Sequence, residues 1–200
     1  EIMTHAQIER RSIIVTIVAS LSFGLVGLAI SIVSHSGAVF IDGVFSLIFA
    51  VVGILTLYVS SMVQRPRDEH YPFGYATFEP MLNLFKGVLI SMALLYALWN
   101  AITALMTGGQ EVVAVGGIIY GAIAVSGGAT LAIVLRRYAR LSESPIVRLD
   151  AQNAIIDTLI SGAVGLAFVA TLLLEHSRWS SWASYADPVI MIAIAAIAAP

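Results

Sequence analysis

Residues 38–63 read AVFIDGVFSLIFAVVGILTLYVSSMV, an apolar run that contains one charged residue, Asp42. A helix needs about 20 apolar residues to cross the hydrocarbon core of a bilayer, and this run is long enough. Its apolar residues do not alternate with polar ones, as they do in the strands of a membrane barrel. Because a helix satisfies its own backbone hydrogen bonds in lipid, the stretch predicts a membrane-spanning helix.

The rest of the chain has the same character. Of its 200 residues 59% are hydrophobic and 11% are charged, whereas about 25% are charged in a soluble domain. Apolar runs predict six spans within a single transmembrane domain, at residues 12–33, 38–63, 77–106, 113–135, 151–174 and 186–200. The sixth run is short, and we expect that the sequence is cut within or just after that helix. The predicted fold is an all-α bundle of six transmembrane helices.

The arginines are distributed unevenly between the loops. Those before the first run, after the second and between the fourth and fifth are Arg10, Arg11, Arg65, Arg67, Arg136, Arg137, Arg140 and Arg148. The loops on the other side hold only Arg178. Because cytoplasmic loops carry the excess of Lys and Arg, we predict that both termini are cytoplasmic. The expected location is the bilayer of a bacterial inner (cell) membrane.

Polar side chains within the runs are the candidates for function, because an ionisable group at membrane depth is costly. Asp42 and Ser46 lie four residues apart on one helix face. Asp150, Asn153 and Asp157 share a face of the fifth span in the same way, with Asp150 as an accessory candidate. If the two spans face each other, they offer two carboxylates, an amide and a hydroxyl, which suits a divalent cation. Two carboxylates would balance its charge; without it they repel and favour a proton. The pattern predicts a site that exchanges a cation for protons.

Other interpretations of these polar residues stay open. Asp42 could cap a helix or form hydrogen bonds to neighbouring hydroxyls. Asn153 could link two helices by a hydrogen bond without binding a metal. Lys86 shares a stripe with Glu79 and Asn83, and we interpret it as snorkelling or ion-paired in preference to a role in the ion path.

Two polar features lie at the ends of the runs. Asp68 and His70 could form an accessory metal-capture site in the loop after the second span, but we interpret them as part of a solvated charged loop in preference to a metal site. Asp187 precedes Pro188, which suits a first helical turn, so we interpret Asp187 as an N-cap of the last helix.

Three stretches rich in small residues predict close helix packing. They are SLSFGLVG at 20–27, GGIIYG at 116–121 and SGAVG at 161–165. We interpret all three as packing surfaces.

Taken in order, these features resemble the transmembrane domain of the cation diffusion facilitators. The matching stretches are the acidic second span, HYPFGYATFEP at 70–80, RLDAQNAIID at 148–157 and ADP at 186–188. The resemblance covers essentially the whole chain. It implies a secondary transporter that moves a divalent metal out of the cytoplasm in exchange for protons, usually as a homodimer. The family usually adds a cytoplasmic domain after the sixth span, and these residues contain none.

The resemblance also implies a ligand set. By position, the family's ligands fall on Asp42, Ser46, Asn153 and Asp157. A hydroxyl thus replaces an acid at Ser46, and an amide at Asn153 stands where zinc transporters commonly have histidine. Oxygen ligands without imidazole or thiolate favour Mn²⁺, Fe²⁺, Mg²⁺ or Ca²⁺ over Zn²⁺. Co²⁺ remains a further candidate for the transported metal. Asn at a ligand position also resembles the manganese-type members.

Two other functions remain open from the sequence. The missing acid at Ser46 fits a transport-incompetent relative that acts as a metal sensor or an assembly scaffold. Alternatively, Lys86 could place a fixed positive charge near the carboxylates of a monovalent cation or proton exchanger. The absence of a GxxxxGK[ST] loop favours a proton gradient as the energy source. Without HExxH or GxSxG motifs we expect no enzyme, no cofactor and, with a net charge of −2, no nucleic-acid partner.

Overall fold

The protein is built from helices. The computed structural model describes residues 5–63, 77–109, 112–142, 145–175 and 180–198. The helices are α1 (His5–Ser34), α2 (Gly37–Val63), α3 (Phe78–Met106), α4 (Ala114–Ser142), α5 (Pro145–Glu175), α6 (Ser180–Ala183) and α7 (Ala186–Ala198). Within these ranges there is no strand, which confirms the all-helical prediction.

Five of the helices contain stretches that are long and apolar enough to cross a membrane. These stretches are Arg10–Ser34, Gly37–Val59, Pro80–Met106, Ala114–Leu141 and Asp150–Leu174. They overlap the first five predicted runs, because the apolar run sets the part of the helix that fits in lipid. Helix α7 supplies a shorter apolar stretch, Ala186–Ile197, as the sixth run predicts.

The connection between α4 and α5 is more helical than the apolar runs predict. Helix α4 continues to Ser142 and α5 begins at Pro145, so the arginines between the fourth and fifth runs extend from helix ends and not from a loop. Arginine is a good helix former, and proline is well suited to the first position of a helix. Apolar content therefore defined the part of each helix that fits in lipid but not its polar extension.

The helices pack in two groups. Helix α4 packs along α5, α1 packs along α2, and α1 also contacts α4, whereas α3 and α7 pack on each other and on α2. The predicted small-residue surfaces lie where α1, α2, α4 and α5 meet. A Cβ atom on Gly121 would come within 2.8 Å of the Cα of Gly165, and one on Gly27 within 3.0 Å of the Cα of Gly43. Glycine is thus required for these backbones to approach so closely.

One end of the bundle is closed by short connections, and we call it the short-loop end. It contains residues 35–36 between α1 and α2, residues 112–113 before α4, and residues 184–185 before α7. Here the Val113 amide donates a 2.9 Å hydrogen bond to the carbonyl of Ser34. His35 has a left-handed φ of 53°, which reverses the chain direction between two long helices.

Asp187 caps a helix at this end, but not the helix predicted. It lies inside the first turn of α7, and its carboxylate accepts hydrogen bonds from Ser36 Oγ (2.5 Å), the Gly37 amide (2.9 Å) and the Ala38 amide (3.4 Å). These groups belong to the N-terminus of α2, where amides lack partners within the helix and the helix dipole favours a negative charge. The interpretation of Asp187 as the N-cap of its own helix is therefore wrong.

Candidate metal site

A polar cavity lies between α1, α2, α4 and α5. Its volume is about 50 Å³, which is several times what one water molecule requires. Three of the four predicted ligands line it: Asp42 and Ser46 from α2, and Asp157 from α5. The structure therefore brings the acidic faces of α2 and α5 to one space, although their role as ligands stays a prediction.

Asp42 is oriented by a residue that the sequence analysis did not select. The Tyr120 hydroxyl on α4 donates a 2.6 Å hydrogen bond to Asp42 Oδ2. Tyr120 is only 3% exposed, and a Cβ on Gly27 would lie 3.1 Å from its ring and its hydroxyl oxygen. The glycine on α1 thus leaves room for the phenol that holds the carboxylate.

Asp157 provides the second negative charge of the cavity. Its side chain lines the cavity and is exposed in this chain. Asp42 and Asp157 interact electrostatically, and Tyr120 interacts with both. Two like charges in one low-dielectric space repel, so a cation bound between them would be stabilised by both.

Hydroxyl groups complete the polar part of the lining. Besides Ser46 and Tyr120, they come from Ser20 on α1 and Ser161 on α5. Ser20, Tyr120 and Ser161 belong to the three stretches that we interpreted as packing surfaces. The glycines of those stretches do pack the helices, while a polar residue in each stretch lines the cavity. A hydroxyl next to small residues in an apolar run was the signal that could have identified them.

Apolar side chains form the remainder of the wall. They are Phe23, Phe45, Phe49, Ala124, Gly128, Leu131 and Ala154. On α2 the lining runs from Asp42 to Phe49, and on α4 it runs from Tyr120 to Leu131. Both directions lead away from the short-loop end, where Phe168 of α5 fills the space beside Gly117 of α4.

The other candidate residues lie elsewhere or are not described. Asn153 belongs to α5, but its side chain lies outside the described residues, as do Asp68 and His70. Asp150 is not among the residues that line the cavity. Lys86 does not line it either; its ammonium nitrogen lies 5.4 Å from the centre of the Phe49 ring, a cation–π distance. Its ammonium group thus lies against an aromatic ring that forms part of the cavity wall.

The donor set of the cavity consists of oxygen. In the described part of the chain, no three His, Cys, Asp or Glu side chains form a cluster that could hold a metal ion. A cation in this cavity would therefore depend on two carboxylates supplemented by hydroxyls. Such oxygen donors suit Mg²⁺, Ca²⁺ and Mn²⁺.

Comparison with known proteins gives one match that covers nearly the whole chain. Residues 13–199 match the family model described as the cation efflux transmembrane domain. This match includes all the helices that line the cavity.

Two curated relatives match parts of the chain. The manganese efflux system protein MneP of Bacillus subtilis is 28% identical over 102 residues, which cover 51% of this chain and 34% of the relative. An uncharacterised transporter of Methanocaldococcus jannaschii is 28% identical over 80 residues, 40% of this chain and 28% of the relative. The matched segments thus span about a third of each relative's length.

Proposed function

This chain belongs to the cation efflux family, and on that premise we propose that it exports a divalent metal cation across a membrane in exchange for protons. The observation that carries the proposal is the cavity between α2 and α5, which Asp42, Ser46 and Asp157 line together. Family membership gives the class of cargo, and the cavity gives the place where this chain would hold it.

The charge of the cavity supports a divalent ion. Asp42 and Asp157 together match the charge of one 2+ ion, and this match offsets the cost of removing each carboxylate from water. After the ion leaves, the two carboxylates repel each other, and protons can relieve that repulsion. Binding metal and protons in turn couples export of the metal to entry of protons.

The oxygen donors support Mn²⁺ or Fe²⁺, or the harder Mg²⁺ and Ca²⁺, over Zn²⁺. The named function of the relative MneP, manganese efflux, supports Mn²⁺ among these. We propose that Asp42 and Asp157 are the charged ligands, and that Ser46 and Asn153 are neutral ligands that adjust selectivity.

For the topology we propose six crossings, with α7 as the sixth and both termini in the cytoplasm. The short-loop end then faces outwards. Because the cavity lining extends away from that end along α2 and α4, the ion would enter from the cytoplasmic side. The active unit would be a homodimer in a bacterial cell membrane, as the family resemblance implies.

Metal flux into proteoliposomes tests the proposal. With Mn²⁺ as the probe and a pH gradient imposed, the wild-type protein should transport metal and move protons in the opposite direction. Asp42→Asn and Asp157→Asn remove a charge without changing side-chain size, so each should reduce flux to the level of empty liposomes. Ser126→Ala is the control, because Ser126 is an exposed residue of α4 whose hydroxyl bonds to its own helix.

Three results would contradict parts of the proposal. Wild-type flux in either Asp variant would exclude that residue as a ligand. Metal binding without flux in the wild type would favour a sensor or scaffold. Proton flux without any divalent binding would favour a monovalent cation or proton exchanger.

A further inference from the structure

We propose that Tyr120 determines which divalent cations the cavity accepts, by restricting Asp42 to coordination through one oxygen. This inference rests on the proposed function, because it concerns the same site. Tyr120 is a positioning residue: it acts through the hydrogen bond from its hydroxyl to the Asp42 carboxylate.

The hydrogen bond leaves the two oxygens of Asp42 unequal. Oδ2 accepts a 2.6 Å hydrogen bond from the Tyr120 hydroxyl, which occupies one lone pair of this oxygen and fixes the direction of the carboxylate. Oδ1 is the oxygen left for a cation in the cavity. Asp42 therefore acts as a carboxylate with one strong donor atom.

Tyr120 is held firmly enough to maintain this inequality. Its side chain is 3% exposed, and its ring and hydroxyl pack against α1 at Gly27, where an added Cβ would lie 3.1 Å from each. The backbones of α1 and α2 are also close at this level, since a Cβ on Gly27 would be 3.0 Å from the Cα of Gly43. The phenol thus has little space in which to turn away from Asp42.

Mn²⁺ and Ca²⁺ differ in the number of oxygen ligands that they require. Ca²⁺ takes about 6 to 8 oxygen ligands and often uses both oxygens of a carboxylate, whereas Mn²⁺ is satisfied by octahedral coordination. The carboxylates of the cavity are few, so loss of one oxygen of Asp42 disfavours the ion that needs more ligands. Tyr120 is therefore expected to favour Mn²⁺ over Ca²⁺.

Calorimetric titration of the purified protein with Mn²⁺ and with Ca²⁺ tests this proposal. Tyr120→Phe keeps the ring that packs on Gly27 and removes only the hydroxyl. Loss of a group that orients a ligand commonly changes metal affinity about 10- to 100-fold, so we expect the ratio of Mn²⁺ to Ca²⁺ affinity to fall about 10-fold. Tyr96→Phe is the matched control, because Tyr96 contacts Phe40 and is 50% exposed; its ratio should equal that of the wild type.

An unchanged ratio in Tyr120→Phe would overturn the proposal, whether both affinities stay the same or fall together, because a purely structural role lowers both equally. Infrared spectra of the wild type give a second test that requires no folded Tyr120 variant. The separation of the carboxylate bands that disappear in Asp42→Asn distinguishes one-oxygen from two-oxygen coordination of Mn²⁺. Two-oxygen coordination would overturn the proposal. If Asp42→Asn loses flux but Tyr120→Phe keeps the wild-type ratio of Mn²⁺ to Ca²⁺ affinity, this inference fails while the proposed function stands. A wild-type protein that binds neither ion overturns both.

Discussion

The carboxylate of Asp187 and the hydroxyl of Ser36 are joined by a hydrogen bond of 2.5 Å, which connects the start of α7 to the start of α2. Ser36 Oγ also accepts a hydrogen bond of 3.1 Å from the Val39 amide. Both side chains are buried, each with 2% exposure. The two residues together therefore satisfy the first amides of a helix that carries part of the cavity.

Replacement of Asp187 should destabilise the protein. Asp187→Ala leaves the amides of Gly37 and Ala38 without their carboxylate, and a buried donor without a partner costs about 1 to 3 kcal/mol. Asp187→Asn keeps one acceptor oxygen and should cost less. Thermal unfolding of the purified protein in detergent measures both effects.

The control for this prediction is Ser22→Ala. Ser22 is exposed and bonds to the carbonyl of Val18 in its own helix, so its replacement should change stability by less than about 0.5 kcal/mol. If Asp187→Ala unfolds at the temperature of Ser22→Ala, the capping interaction does not contribute to stability.

Close contact between α4 and α5 should make Gly121 intolerant of any side chain. A methyl group there would meet the backbone of Gly165 at 2.8 Å, and backbone cannot move aside as a flexible side chain can. We expect Gly121→Ala to reduce stability by about 1 to 3 kcal/mol, as overpacking usually does. The unfolding temperature in detergent again provides the measurement.

Gly87→Ala serves as its matched control. A Cβ on Gly87 of α3 meets nothing within 4 Å, and alanine is favoured over glycine in a helix by about 1 kcal/mol. This variant should be as stable as the wild type or more stable. Equal destabilisation by both substitutions would show that helix propensity, and not the contact with Gly165, decides the result.

Residue 153 should influence the choice between zinc and manganese. Asn153→His introduces the imidazole nitrogen that Zn²⁺ prefers, so the ratio of Zn²⁺ to Mn²⁺ flux in proteoliposomes should rise. Gln152→His adds the same group one position away, at an exposed side chain of α5 that does not line the cavity, and should leave the ratio unchanged. An unchanged ratio in Asn153→His as well would exclude residue 153 as a ligand.

The helices could be predicted from the sequence because lipid imposes one strong rule on the chain. A backbone in hydrocarbon has to bond to itself, so each long apolar run gave a helix close to its predicted limits. The same rule says nothing about residues outside lipid, and the extensions of α4 to Ser142 and of α5 to Pro145 were missed. The membrane-spanning helices could be predicted from the preference of apolar side chains for lipid, whereas the polar ends of the helices could not.

For the site, the spacing of residues along one helix could be interpreted from the sequence, whereas contacts between helices could not be predicted. The i, i+4 spacing put Asp42 and Ser46 on one face, and both line the cavity. The partner of Asp42, however, is Tyr120, which is 78 positions away on a helix whose packing the sequence does not specify. The partner of Ser36, Asp187, is 151 positions away and was assigned to the wrong helix for the same reason.

The hydrogen bond between Tyr120 and Asp42 also has a consequence for biosynthesis. Helices α1 and α2 are joined by two residues, so they would enter the membrane together as a hairpin. At that moment Tyr120 has not yet been synthesised, because it follows Asp42 by 78 residues. The hairpin must therefore carry the acid into lipid without its later partner. The carboxylate of Asp42 would gain its hydrogen bond from Tyr120 only after α4 has entered the membrane.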